Sequence, residues 1–152
     1  MRGLGVVLIV FLTCNGQKKG VENAHVSGNG QLVLLVQDAF FPTDSLQTQV
    51  IRDTKTLTTF FRTVNKTRKP GLPVPLVDFD NEMVLVACLG KMKGNIVPEL
   101  KIKEENQDQL VVSIAINKTS STTSMVTYPF YVYKMPKTDV PVSFRIEKSA
   151  QE

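Results

Sequence analysis

Hydrophobic residues fall into distinct patterns along the chain, and each pattern predicts a different element. Leu4 to Leu12 is an unbroken apolar run containing one Gly. A transmembrane helix takes about 20 apolar residues, so this run is too short to span a bilayer. Gln31-Leu-Val-Leu-Leu-Val-Gln37 is apolar on both faces and predicts a covered strand. Phe40-Phe41-Pro42 breaks it, and Gln47 to Arg52 offers a second, shorter strand. Leu57, Phe60, Phe61 and Val64 then change the period to that of a helix. They predict a helix from about Thr54 to Lys66, capped by Asp53 or Thr54 and stopped by Pro70-Gly71. Phe residues in such a stripe read as a core face.

After the extended Pro73/Pro75 segment the pattern is that of strands. Met83 to Leu89 is continuously apolar between Asp80-Asn81 and Gly90, as in a strand buried on both faces. Leu100 to Lys103 alternates, Glu104 to Gln109 is a polar turn, and Leu110 to Ile116 is another strand. A Ser/Thr loop, Lys118 to Ser124, leads to strands at Val126 to Lys134 and Val142 to Glu147. In the last, Val142, Phe144 and Ile146 point inward by alternation. The predicted fold is mainly β with one α-helix, an antiparallel β-sandwich-like domain packed with that helix over residues 31–149. Leu57, Phe60, Phe61, Met83, Leu85, Ala87, Phe144 and Ile146 form the expected core.

The head of the chain changes the setting. Met1-Arg2 is positive, the apolar run follows, and Thr13-Cys14 ends it, the order of a secretory signal. A Cys at that point resembles a bacterial lipoprotein signal, with residues 1–13 removed and Cys14 acylated. Ordinary cleavage after Gly16 is the alternative. Residues 14–30 are polar and Gly-rich, a flexible tether between lipid and domain. The expected location is therefore the cell envelope, with the membrane reached through the N-terminal lipid.

The chain carries a net charge of +4, scattered in short groups such as Lys18-Lys19, Lys66 to Lys69 and Lys91/Lys93. Nucleic-acid binders show a dense basic stripe interleaved with aromatics, and none is present. Cys88 lies inside the central apolar run and reads as a buried free thiol. His25 is the only His, which excludes His-cluster metal sites and His-based triads. The acidic Asp78-Phe-Asp-Asn-Glu82 cluster reads as a turn and cap rather than a calcium site. No residue pattern calls for a catalytic group or a cofactor. Loops at one end of a rigid sheet are where binding tends to sit. The candidate contact residues are Lys91, Met92, Lys93, Gly94 and Asn95, and the expected partner is another protein. A small ligand or glycan, held between helix and sheet with rings from Tyr128, Tyr131 and Tyr133, is the alternative.

From Val77 on, the order of pieces resembles the C-terminal domain of PrcB-type subunits of bacterial protease complexes. Val77 to Gly90, the Leu100–Ile116 strand pair, Thr127 to Lys137 and Val142-Ser-Phe144 carry the resemblance, which spans roughly residues 47–148. It implies a compact β-rich domain with a non-catalytic task, holding or stabilising an exported protease. The chain departs from that pattern at one loop. Lys91-Met-Lys-Gly-Asn-Ile96 stands where those proteins commonly carry Gly-Gly-Tyr.

Overall fold

The computed structural model describes residues 31–94, 97–117 and 125–148. Strands β1 (Val33–Asp38) and β2 (Gln47–Ile51) precede helix α1 (Thr54–Val64), which a short 3₁₀ turn at Asn65–Thr67 prolongs. The remaining strands are β3 (Glu82–Cys88), β4 (Met92–Lys93), β5 (Val97–Glu105), β6 (Leu110–Asn117), β7 (Val126–Thr127), β8 (Phe130–Pro136) and β9 (Val142–Lys148). Among the described residues the architecture is mainly β with a single helix. A four-stranded sheet, β1-β8-β3-β2, is the middle layer, with α1 on one face and the three-stranded sheet β5-β6-β9 on the other.

This layering explains why β3 and β8 are apolar at nearly every position. On the side of the second sheet, Met83, Leu85, Ala87, Tyr131, Tyr133 and Met135 meet Leu100, Leu110, Val112 and Ile114. On the helix side, Val84, Val86, Cys88, Phe130 and Val132 meet Leu57, Phe60, Phe61 and Val64. Each fully buried side chain of this kind contributes roughly 1.5–3 kcal/mol. The alternation fails in β1, where the register shifts between Leu34 and Val36. That bulge leaves Leu34 on the second-sheet side and places both Leu35 and Val36 against the helix-side core.

The helix starts as its sequence predicts. The Asp53 carboxylate accepts the Thr56 amide and the Thr56 hydroxyl, both at 2.7 Å. It ends two residues before the expected Lys66, because the backbone tightens into the 3₁₀ turn. Asn65 secures the exit through a pair of bonds with Leu72, donating to its carbonyl and accepting its amide. The acidic cluster forms the predicted turn. Asp78 accepts the Asp80 amide and the Asn81 side chain, and its carbonyl accepts the Glu82 amide.

Among the described residues the expected antiparallel arrangement holds for every strand pair but one. β9 runs parallel to β6, from Leu110↔Val142 to Ile116↔Lys148. Ile146 corrects the predicted core: it is 41 % exposed, on a strand that has no neighbour on its far side among the described residues. Phe144 and Val142 pack against the core as expected. The single strand predicted at Val126 to Lys134 is two strands, divided at Tyr128-Pro129, where the chain pairs with residues 39–41 instead.

Candidate functional site

Three connections meet at one end of the central sheet: the segment after β1, the segment after β3, and the segment before β8. Backbone bonds stitch them together. The Tyr128 amide donates to Ala39, and the Phe41 amide donates to Tyr128, at 2.9 and 2.8 Å. The Leu89 amide donates to Pro129 at 2.9 Å, and the Lys91 amide to Asp44 at 3.2 Å. β4 and β7 pair as Met92↔Thr127 and Lys93↔Val126, and the Gly94 amide donates to Met125 at 2.9 Å. The end of the sheet is therefore a bonded surface.

Gly90 is the joint that makes this possible. Its φ of +73° is open to Gly at little cost, and a Cβ there would stand 2.7 Å from the Asp44 carbonyl oxygen. Arg68 fixes the neighbouring side. Its guanidinium grips the Asp38 carboxylate and also donates to the Phe40 carbonyl at 2.7 Å, while Asp38 accepts the Phe40 amide at 2.9 Å. Burial disfavours the charge on Asp38, yet the Arg68 hydrogen bond and the Phe40 amide together hold its carboxyl below the usual value.

The result is an aromatic pair held outside the core. Phe40 and Tyr128 are bridged through their backbones and meet edge to face, with ring centroids 5.9 Å apart. Phe40 is 43 % exposed. A surface hollow of about 530 Å³ lies beside them, lined by Phe40, Phe41, Pro42, Thr43, Asp44 and Tyr128. Exposed Met125 and Val126 extend the apolar surface, and exposed Lys91 and Lys93 flank it.

The predicted contact residues divide. Lys91 and Lys93 are on this surface and exposed. Met92 is half-buried and packs against the core, and Gly94 is buried at a φ of +83°. The two-residue strand β4 sends Met92 one way and its lysine neighbours the other. Asn95, Cys14, the 14–30 tether and the 118–124 loop lie outside the described residues. Phe40 was missed by the sequence reading. The Phe40-Phe41 pair held the signal, since neighbours in an extended chain point to opposite sides.

A second depression lies on the helix side of β2. It measures about 340 Å³ and is lined by Phe41, Gln47, Thr48, Gln49, Phe60, Val86 and Cys88. The predicted tyrosines are not there. Tyr131 and Tyr133 are buried on the opposite face of the sheet, and Tyr128 lies at its end. Burial pushes the Cys88 thiol up to about 12, so at neutral pH it is a neutral hydrophobe rather than a nucleophile. No family model matches the chain, and neither a curated protein nor a solved structure matches it.

Proposed function

We propose that this chain is a non-catalytic, lipid-anchored protein of the cell envelope that binds another protein through the end of the central sheet. The observation that carries the reading is the Phe40–Tyr128 pair, two rings held by backbone bonds where water reaches them, with Lys91 and Lys93 alongside. Aromatic residues in a fixed setting are the usual anchors of protein interfaces. Neighbouring backbone bonds keep the pair in place, so little conformational freedom is lost on binding. The signal-like head ending in Cys14 supports the location. The resemblance to PrcB-type subunits supports an exported peptidase as the partner, held or stabilised rather than cleaved.

The test is a pull-down of the tagged, membrane-anchored protein from its own envelope, with bound proteins identified by mass spectrometry. A peptidase recovered in fixed proportion, and lost with Phe40→Ser or with the Lys91→Glu, Lys93→Glu double variant, is the expected result. Well-folded protein that retains nothing specific would overturn it.

The second reading, a small-ligand lipoprotein, is favoured by the cleft over β2, which has an apolar floor and amide and hydroxyl groups at its rim. It predicts a rise in melting temperature with a neutral small molecule, since ligands of the folded state stabilise it.

A further inference from the structure

Strands at the edge of a sheet invite another strand, and proteins discourage this with charges, bulges, prolines or short lengths. Most edges here carry such a device. β1 is bulged at Leu35. β5 has a register shift at Lys103 and carries Glu99, Lys101 and Lys103. β9 follows Pro141 and presents Arg145 and Glu147. β2 has only its length of five residues as such a device: Gln47-Thr48-Gln49-Val50-Ile51 pairs regularly with β3 throughout, with no charge, proline or bulge. Among the described residues no strand lies on its other side.

The cleft adjoins this same strand. Gln47 and Gln49 face the helix side, opposite Cys88 and Val86, and both are exposed. Beyond them the floor is Phe41, Phe60, Val86 and Cys88, and among the described residues no charged side chain lines the space. When a strand is added to an edge, main-chain bonds supply affinity and pockets for alternate side chains supply selectivity. We infer that β2 and its cleft take an extended, uncharged segment of a partner protein as a fifth strand of the central sheet. One apolar side chain of that segment rests on Phe41 and Phe60. This inference rests on the protein-binding reading above.

The occupant is argued from the lining. A charge set into this space would lose water without gaining a partner. A second copy of β2 would bring only Gln47 and Gln49 to that face, because its Ile51 is already buried at 1 % exposure in its own core. Phe41 lines both the cleft and the hollow beside Phe40, so the two are adjacent and within reach of one partner.

The probes are terminally blocked nonapeptides of alternating Thr and Val, with either Phe or Glu at the centre, added to the full chain. Amide exchange and chemical shifts are read by NMR. The Phe peptide is expected to protect amides within Leu46 to Ile51 and to bind at least about tenfold more tightly than the Glu peptide. The Gln47→Lys, Gln49→Lys double variant changes exposed side chains only and should lose that binding about tenfold. Equal binding of the two peptides, or protection elsewhere but not at β2, would overturn the inference. So would protection, in the free chain, of the outward-facing β2 amides that do not bond to β3, by its own N-terminal segment or a second copy. Envelope capture separates this failure from that of the function. A partner kept by the β2 variant but lost with Phe40→Ser leaves protein binding standing and removes the fifth strand. Loss of that partner with the β2 variant supports the strand, and a partner indifferent to both variants ends both readings.

Discussion

Phe40 and Phe41 are neighbours in sequence, as are Tyr128 and Phe130 across one proline, yet each set is split between two environments. Phe41 and Phe130 belong to a buried quartet with Phe60 and Phe61; Phe41 stacks on Phe60 at 5.3 Å, and Phe130 meets Phe60 edge-on at 5.8 Å. Phe40 and Tyr128 make the same kind of contact in the open. The inner rings hold the helix to the sheet, whereas the outer rings are held by the backbone and hold nothing else. The largest test of this contrast is Phe130→Ala, since Phe130 is fully buried. It should lower the free energy of unfolding by about 3–5 kcal/mol in urea titrations, the usual loss for a buried Phe. A loss below about 1 kcal/mol would mean that the inner rings carry no more weight than the outer ones.

Gly90 tests the joint between the two regions. Gly90→Ala would force a left-handed backbone on a side chain and drive its Cβ into the Asp44–Ser45 backbone. The expected cost is about 1–3 kcal/mol, typical of strained backbone positions. Amide exchange should rise first around Asp44, Lys91 and the β4–β7 pair, with the quartet still protected. Uniform exchange across both regions would show that the end of the sheet is no separate unit.

The helix and the central strand were legible for a plain reason. The spacing of Leu57, Phe60, Phe61 and Val64, and the unbroken run of β3, each record which faces are covered. Pairing partners leave no such record. The alternation of Val142, Phe144 and Ile146 states a face, but nothing in it says that β9 lies parallel to β6 at an edge, so Ile146 was placed too deep. The open edge of β2 was invisible for the same reason, being a property of strand order. Met92 is another case. Flanking lysines suggested an exposed loop, while simple alternation would have set Met92 inward with Lys91 and Lys93 outward. Phe40 lay between these cases, because alternation says that one ring of the Phe40-Phe41 pair is outside without saying which.

Acid acts on the outer region through Asp38. The Asp38 carboxyl is held below its ordinary 3.8, so the charged form favours the folded chain. Its contribution is present in full above that value and is lost as pH falls through the lowered folded one. Asp38→Asn should therefore flatten part of the acid limb of the stability curve, and leave the neutral-pH value about 1 kcal/mol lower, since solvent partly screens this pair. An unchanged acid limb would mean that Arg68 positions the Phe40 backbone without help from the carboxylate.

The smallest change in stability should come from the outer ring, and this is where the comparison becomes functional. Phe40→Ser removes a side chain that is 43 % exposed and one edge-to-face contact, but none of the backbone bonds through Ala39, Phe41 and Tyr128. An aromatic pair adds about 0.5–1.5 kcal/mol beyond burial, so the unfolding free energy should fall by about 1 kcal/mol or less. Partner capture from the envelope should nevertheless be lost, because a central interface aromatic commonly supplies 2 kcal/mol or more. That opposition, a small cost in folding and a large one in binding, is what separates an exposed ring kept for a partner from one left over by packing. If Phe40→Ser proved as costly as Phe130→Ala, the outer pair would be part of the core. If it left both stability and capture unchanged, the binding surface would have to be sought along β2.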